Sequence, residues 1–321
     1  MSIKSKDISV VVQGAVNNDT KKCLKSIRKY LPHAEIILST WEGTNVNGLT
    51  YDILVENKDP GCVLICPKTK LYNNLNRQLL STQNGLKKVN RKYTLKFRTD
   101  FYLTGRDFLK YFEKFPIRDK KFSIFKHRVI VSSVYSRLTS EPGVPMPFHP
   151  SDFFFFGLSE DVKSYFEGTP LEEEKNMANY PFLHPDKMPY KIKSLTEKYA
   201  PEQYLCFMFL KRHFTDIKFE DWTDWNDENI EFSKNIDINN FIFLGYPESG
   251  IFSDKHWQPL VYETKFNPGI ITYKIFKNMY KEMLDKNFDV SLTRWEKFKR
   301  FKKLFCAAII KSKDSLYYSL F

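Results

Sequence analysis

Two stretches near the middle of the chain carry residue types suited to holding a polyanion. Asn73-Asn74-Leu75-Asn76-Arg77-Gln78 is followed by a strand-like run, Tyr93-Thr94-Leu95-Lys96-Phe97-Arg98, which ends in Thr99-Asp100. Open α/β sheets bind ligands outside the carboxyl ends of their strands, and guanidinium forks pair bidentately with phosphate or carboxylate. An arginine and an acid delivered at such an end, beside a helix bearing amides and Arg77, therefore suit a phosphate-bearing ligand or its metal. Taken alone, the same residues also fit an edge-strand ion pair and a solvated helix arginine. Further on, Ser151-Asp152 precedes four phenylalanines and Gly157, and Ala200-Pro201-Glu202-Gln203 opens an apolar helix. Asp152 stands at a strand end, where functional groups gather, and Glu202 stands in a first helical turn, where an acid complements the helix dipole.

The elements that must position these groups alternate between strand and helix. Residues 8–12 are a β-branched run breaking at Gln13-Gly14, which predicts a buried first strand. Asp19-Thr20 reads as the N-cap of a helix to Tyr30, which Pro32 stops. Residues 34–39 and 51–55 read as strands, 73–89 as a helix and 93–98 as the next strand. This alternation predicts βαβ units and a mostly parallel open sheet flanked by helices. A helix over 107–115, strands within 122–135, a buried strand at Phe153-Phe154-Phe155-Phe156 and a helix from Pro201 to His213 follow. Residues 169–198, rich in charge and proline, read as a lid or acceptor loop.

With 321 residues and 42 % apolar content the chain can bury a large core, enough for two domains or one enlarged one. A formal charge of +12 favours polyanionic partners: nucleic acid, an anionic membrane face or a diphosphate. Cys23, Cys62, Cys66, Cys206 and Cys306 have no framework spacing, which fits a reducing compartment, and no second Cys or His pair follows Cys62 and Cys66 to complete a zinc site. No apolar run reaches the ~20 residues of a membrane span, and the polar start of the chain does not read as a signal peptide. A cytoplasmic protein is expected.

Near the C-terminus, Trp295, Phe298, Phe301, Phe305 and Ile309 recur at spacings of three and four among Arg294, Lys297, Lys299, Arg300, Lys302, Lys303, Lys311 and Lys313. A basic amphipathic helix with an aromatic face reads either as a membrane-surface segment or as a helix docked on the core.

These residues together resemble the WavE lipopolysaccharide-synthesis family and, more broadly, GT-A glycosyltransferases. The resemblance runs from about Ile8 to His213 and is carried by Ser9-Val-Val-Val-Gln13-Gly14, Leu38-Ser39-Thr40-Trp41-Glu42-Gly43, Asp59-Pro60-Gly61, Asn76-Arg77-Gln78 with Gly85-Leu86, Lys96-Phe97-Arg98-Thr99-Asp100, Ser151-Asp152 through Gly157, and Ala200-Pro201-Glu202-Gln203. It implies an α/β GT-A-like fold with a catalytic unit over 1–240 (donor half 1–105, acceptor half 106–240), an extension over 241–290 and a basic amphipathic segment over 291–321. It implies a nucleotide-sugar donor held by Gln13, Gly14, Glu42, Asn76, Arg77, Gln78, Lys96, Arg98 and Asp100, with Glu202 as the base of an inverting transfer and Asp152 as a second candidate, either as base or as a hydrogen-bond acceptor for sugar hydroxyls.

GT-A enzymes carry Asp-x-Asp where this chain has Arg98-Thr99-Asp100. Asp100 is left as the one carboxylate for a divalent cation, Mg or Mn, while Arg98 supplies a permanent cation for phosphate oxygens. His256 is a further candidate phosphate or metal contact. The acceptor expected is lipid-linked or an oligosaccharide of lipopolysaccharide, O-antigen or capsule, with the protein peripheral on the anionic inner face of the cytoplasmic membrane. Two rivals remain: transfer of phosphate or an alditol phosphate from a nucleotide-linked donor, and a non-catalytic polyanion-binding module. Nucleic acid is not expected, because the basic residues are spread along the chain except at its C-terminus.

Overall fold

The computed structural model describes residues 3–140, 143–187, 196–266 and 269–319, apart from the side chains of Phe266 and of residues 310–319. Its first half winds as the hydrophobic pattern requires. Strands β1 (Ile8–Gln13), β2 (Glu35–Trp41) and β3 (Ile53–Asn57) alternate with helix α1 (Thr20–Tyr30). A short ribbon, β4 (Val63–Cys66) and β5 (Leu71–Asn73), leads into helix α2 (Leu75–Lys87) and strand β6 (Tyr93–Arg98). Two small differences from the sequence reading have local causes. The Asn73 side chain accepts from the backbone N–H of Leu75 at 2.9 Å, so Asn73 makes the turn into α2 rather than its first residue. Asp19 makes no side-chain cap; the turn before α1 is closed by Asn17, whose Oδ1 accepts from the Asp19 N–H at 2.8 Å, and by Thr20, whose hydroxyl accepts from the Asn17 N–H at 2.9 Å.

The chain then runs through β7 (Tyr102–Leu103), a 3₁₀ turn at Asp107–Tyr111, β8 (Val129–Ser132), β9 (Phe154–Leu158), α3 (Ser159–Phe166) and α4 (Glu174–Met177). The helix expected over 107–115 is only that short turn: Phe108, Phe112 and Phe115 are buried at helical spacing, but Pro116 disfavours helical backbone at the residue before it. Helices α5 (Pro201–Lys211) and α6 (Asp227–Asn240), strand β10 (Phe241–Leu244), helix α7 (Tyr246–Ser249), strand β11 (Ile251–Phe252) and helices α8 (Trp257–Val261), α9 (Glu263–Phe266), α10 (Tyr273–Met283) and α11 (Arg294–Ser319) complete the order. Part of the expected loop over 169–198, residues 188–195, lies outside the described residues.

Among the described residues, seven strands form one sheet in the order β10-β8-β9-β6-β1-β2-β3, and β9 runs antiparallel to both neighbours while the remaining pairs are parallel. The fold is α/β and GT-A-like. Because Phe241–Leu244 pairs with Val129–Ser132, the sheet continues past residue 240.

The reversal of β9 matters for the site. Phe154 pairs with Phe97, so Asp152 and Phe153, which precede β9, arrive at the same edge as Arg98, which ends β6. Gln13 pairs with both Ser39 and Arg98, bringing the C-terminal ends of three central strands into line.

Close packing of α2 on this sheet depends on Gly85. A Cβ there would lie 2.5 Å from Val11 Cγ1 and 3.2 Å from Ser39 Cβ. Only a residue without a side chain lets the helix approach, which outweighs the propensity cost of a mid-helix glycine. Polar ties complete the seam: Ser39 Oγ donates to the Ser81 carbonyl at 2.7 Å, and Ser81 Oγ donates to Gln13 Oε1 at 2.8 Å.

Candidate active site

A cleft of about 530 Å³ opens outside the carboxyl ends of β1, β2 and β6, walled by Gln13, Gly14, Trp41, Asp59, Arg77, Gln78, Arg98, Asp100, Lys255 and His256 among others. Gly14 turns away from β1 with φ +115°, where a Cβ would be strained. Two arginines face this space, each gripped by a carboxylate. Arg98 donates to Asp100 through Nε at 2.8 Å and a terminal nitrogen at 2.6 Å, and Arg77 donates to Asp59 through the same two kinds of nitrogen at 2.8 and 2.7 Å. The Arg98 guanidinium also lies 4.6 Å from the centre of the Phe153 ring, a cation–π contact that fixes its plane. Burial disfavours ionisation of Asp100, yet the adjacent Arg98 outweighs it and holds the carboxyl below its ordinary value.

The opposite wall comes from the loop after β11. Asp254 fixes that loop by accepting from Lys22 at 2.6 Å and from the Tyr102 hydroxyl at 3.1 Å. This places Lys255 and His256 on the cleft. His256 stacks on Phe101 with ring centres 5.7 Å apart, its Nε2 has no hydrogen-bond partner, and burial together with the Arg98 cation pushes its pKa down to about 4. It is therefore neutral at physiological pH.

Behind Gln78 and Arg98 lies a second layer holding the two candidate bases. Gln78 Nε2 donates to Asp152 Oδ2, while Asp152 Oδ1 is buried without a partner. Glu202 stands in the first turn of α5, which Pro201 starts, with 13 % of its side chain exposed and its Oε2 3.8 Å from His149 Nε2. Burial and the nearby Asp152 carboxylate push the Glu202 pKa up to about 8. Burial and Arg137 push His149 down to about 3, so the contact between Glu202 and His149 is not an ion pair. Tyr135 closes this layer against Phe153 and His256, at ring distances of 5.1 and 6.0 Å, from a backbone with φ 64°. A bulky residue in the left-handed region is strained, and such strain gathers at functional sites.

The WavE lipopolysaccharide synthesis family model matches residues 8–312. The chain belongs to this family. No protein in the curated set matches it. Membership in the WavE family gives the protein a part in lipopolysaccharide synthesis.

Within this WavE member, six of the nine expected donor residues reach the cleft and three do not. Gln13, Gly14, Arg77, Gln78, Arg98 and Asp100 converge on the cleft. Asn76 does not line it: its amide donates to the Glu172 carbonyl at 2.9 Å and accepts from the Glu172 N–H at 2.8 Å, fastening the segment before α4. Lys96 is fully buried beneath the site, donating to the Asp152 carbonyl, with burial lowering its pKa to about 8. Glu42 is exposed and outside the walls, and its neighbour Trp41 lines the cleft instead.

Asp59, Lys255 and Tyr135 were not assigned roles from the sequence. Asp59-Pro60-Gly61 was a visible motif, but pairing Asp59 with Arg77 requires the fold; Lys255 and Tyr135 have no sequence signal. As for a cation, both Asp100 oxygens accept from Arg98, and the described residues contain no group of three or more His, Cys, Asp or Glu able to hold a metal.

Proposed function

We propose that the protein transfers a sugar from a nucleoside-diphosphate donor to a lipid-linked or oligosaccharide acceptor of lipopolysaccharide, O-antigen or capsule synthesis, at the inner face of the cytoplasmic membrane. The observation that carries this reading is the pair of bidentate arginine–carboxylate clasps facing one cleft at the carboxyl ends of parallel strands. A guanidinium arranged to take two oxygens of a carboxylate also suits two oxygens of a phosphate. A donor diphosphate would exchange with Asp59 and Asp100, leaving Arg77, Arg98 and Lys255 to meet the charge of the departing nucleoside diphosphate. Gln13, Gly14 and Trp41 would receive the nucleoside.

In the transfer, an acceptor hydroxyl attacks the anomeric carbon as the bond to the diphosphate breaks, and the hydroxyl proton passes to Glu202. A base with a pKa near 8 is well matched to that task, because it is strong enough to take the proton and still ionised in part near neutrality. Attack opposite to the leaving group inverts the anomeric centre. Charge neutralisation by arginine and lysine without a resident metal is part of the proposal.

A panel of nucleotide sugars and free nucleoside diphosphates, read by thermal shift and by product analysis, tests it. Release of nucleoside diphosphate with sugar transferred supports the reading. Release of nucleoside monophosphate would replace it with transfer of a sugar or alditol phosphate, and binding of polyanions without turnover would make the protein a binding module.

A further inference from the structure

Helix α11 has two faces with different occupants. One is fastened to the body of the protein: Arg300 pairs with Glu248 and, at 3.0 Å, with Glu263, Lys303 pairs with Asp107 at 3.0 Å, and Ala307 is buried. At about 100° per residue, Arg300, Lys303, Leu304 and Ala307 share that face. Trp295, Phe298, Phe301, Phe305 and Ile309 fall on the opposite face and are each between 38 % and 64 % exposed. Their rings stack along the helix, Trp295 on Phe298 at 5.7 Å and Phe301 on Phe305 at 5.5 Å, instead of turning into the core. The same helical spacing puts Lys297 on one shoulder of this stripe and Lys299 on the other, with Lys302 within it, all exposed.

We infer that this outer face lies in the headgroup region of an anionic bilayer, with α11 parallel to the surface. An aromatic stripe bordered by lysines is the pattern of a helix that sinks its rings to the acyl boundary while its ammonium groups reach back to lipid phosphates. Charge selects the partner: a second copy of this chain would bring the same lysines together, whereas anionic lipid neutralises them. No described helix is long and apolar enough to cross a membrane, so the contact is interfacial. The docked face also joins the surface to the cleft, because Glu248 and Glu263, both held by Arg300, bracket the stretch of chain that carries Lys255 and His256.

Co-sedimentation of the full chain with phosphatidylglycerol and with phosphatidylcholine vesicles tests this, independently of any transfer activity. The chain is expected to bind the anionic vesicles, to be released by salt, and to show a blue shift in tryptophan emission that Trp295→Phe removes. Replacing Phe298, Phe301 and Phe305 with Ser should abolish binding while circular dichroism and melting stay unchanged, since these side chains are more than half exposed. Replacing Lys297, Lys299 and Lys302 with Gln should weaken binding about a hundred-fold at low salt, from roughly 1 kcal/mol per basic residue. Equal sedimentation of the triple Ser variant, equal binding to neutral vesicles, or a dimer in light scattering that the triple Ser variant dissolves would overturn the inference.

Discussion

Arg98 and Asp100, two residues apart at the end of β6, clasp one another through paired hydrogen bonds of 2.8 and 2.6 Å at the floor of the cleft. The guanidinium is thus pre-set in the plane in which it would receive a phosphate. Arg98→Ala is expected to lower transfer by ~10²–10³, the range for removing one group that meets transition-state charge. Asp100→Asn is expected to tighten binding of a nucleoside diphosphate by removing the internal competitor. Calorimetric titration with and without Mg²⁺ checks this: weaker binding by Asp100→Asn only when Mg²⁺ is present would make Asp100 a cation ligand instead.

The clasp of Arg77 by Asp59 is more exposed. An exposed ion pair contributes ~0–1 kcal/mol to stability, so Arg77→Ala should melt close to the parent protein. Its affinity for nucleoside diphosphate should nevertheless fall about tenfold, the loss of one charge-assisted contact. A large loss of stability with unchanged affinity would assign Arg77 to the scaffold.

Glu202 offers a kinetic test. Because its pKa stands near 8, transfer should rise with pH up to about that value and then level off. Glu202→Gln keeps the shape but cannot take a proton; transfer should drop by ~10²–10⁴ while donor binding survives. Retained activity with the same rising profile would move the role to Asp152.

The same group makes a thermodynamic prediction. Its folded-state pKa lies above the unfolded value, so the folded protein binds more protons in between, and its contribution to stability falls as pH rises from the ordinary glutamate range to about 8. Glu202→Gln should flatten that part of the stability curve, measured by denaturant unfolding between pH 5 and pH 9 in steps of roughly one unit. An unchanged slope would locate the titration elsewhere.

Gly85→Val tests how α2 seats on the sheet. The added side chain would meet Val11 and Ser39, and overpacking of this kind costs ~1–3 kcal/mol. Because Ser81 ties the helix to Ser39 of β2 and to Gln13 at the end of β1, nucleotide binding should weaken as well. A variant as stable as the parent would show that the helix slides without consequence.

Local rules settled much of this protein in advance. The β-branched run at Ile8, the strand from Tyr93 to Arg98 and the four buried phenylalanines were legible because strand burial writes itself as uninterrupted apolar residues. Pro201 marked the start of α5 because its ring fits a first helical turn, and the spacing of Trp295 to Ile309 fixed one face of α11 as aromatic. What spacing does not contain is which partner each polar group meets. Asn76, Arg77 and Gln78 sit side by side in sequence yet hold Glu172, Asp59 and Asp152 respectively, since successive helix residues point about 100° apart. Asp152 reached the edge of Arg98 only because β9 runs backwards, and His256 reached the cleft only because Asp254 pinned its loop to Lys22 and Tyr102. Those pairings join residues far apart along the chain, and closure of the whole sheet was needed to decide them.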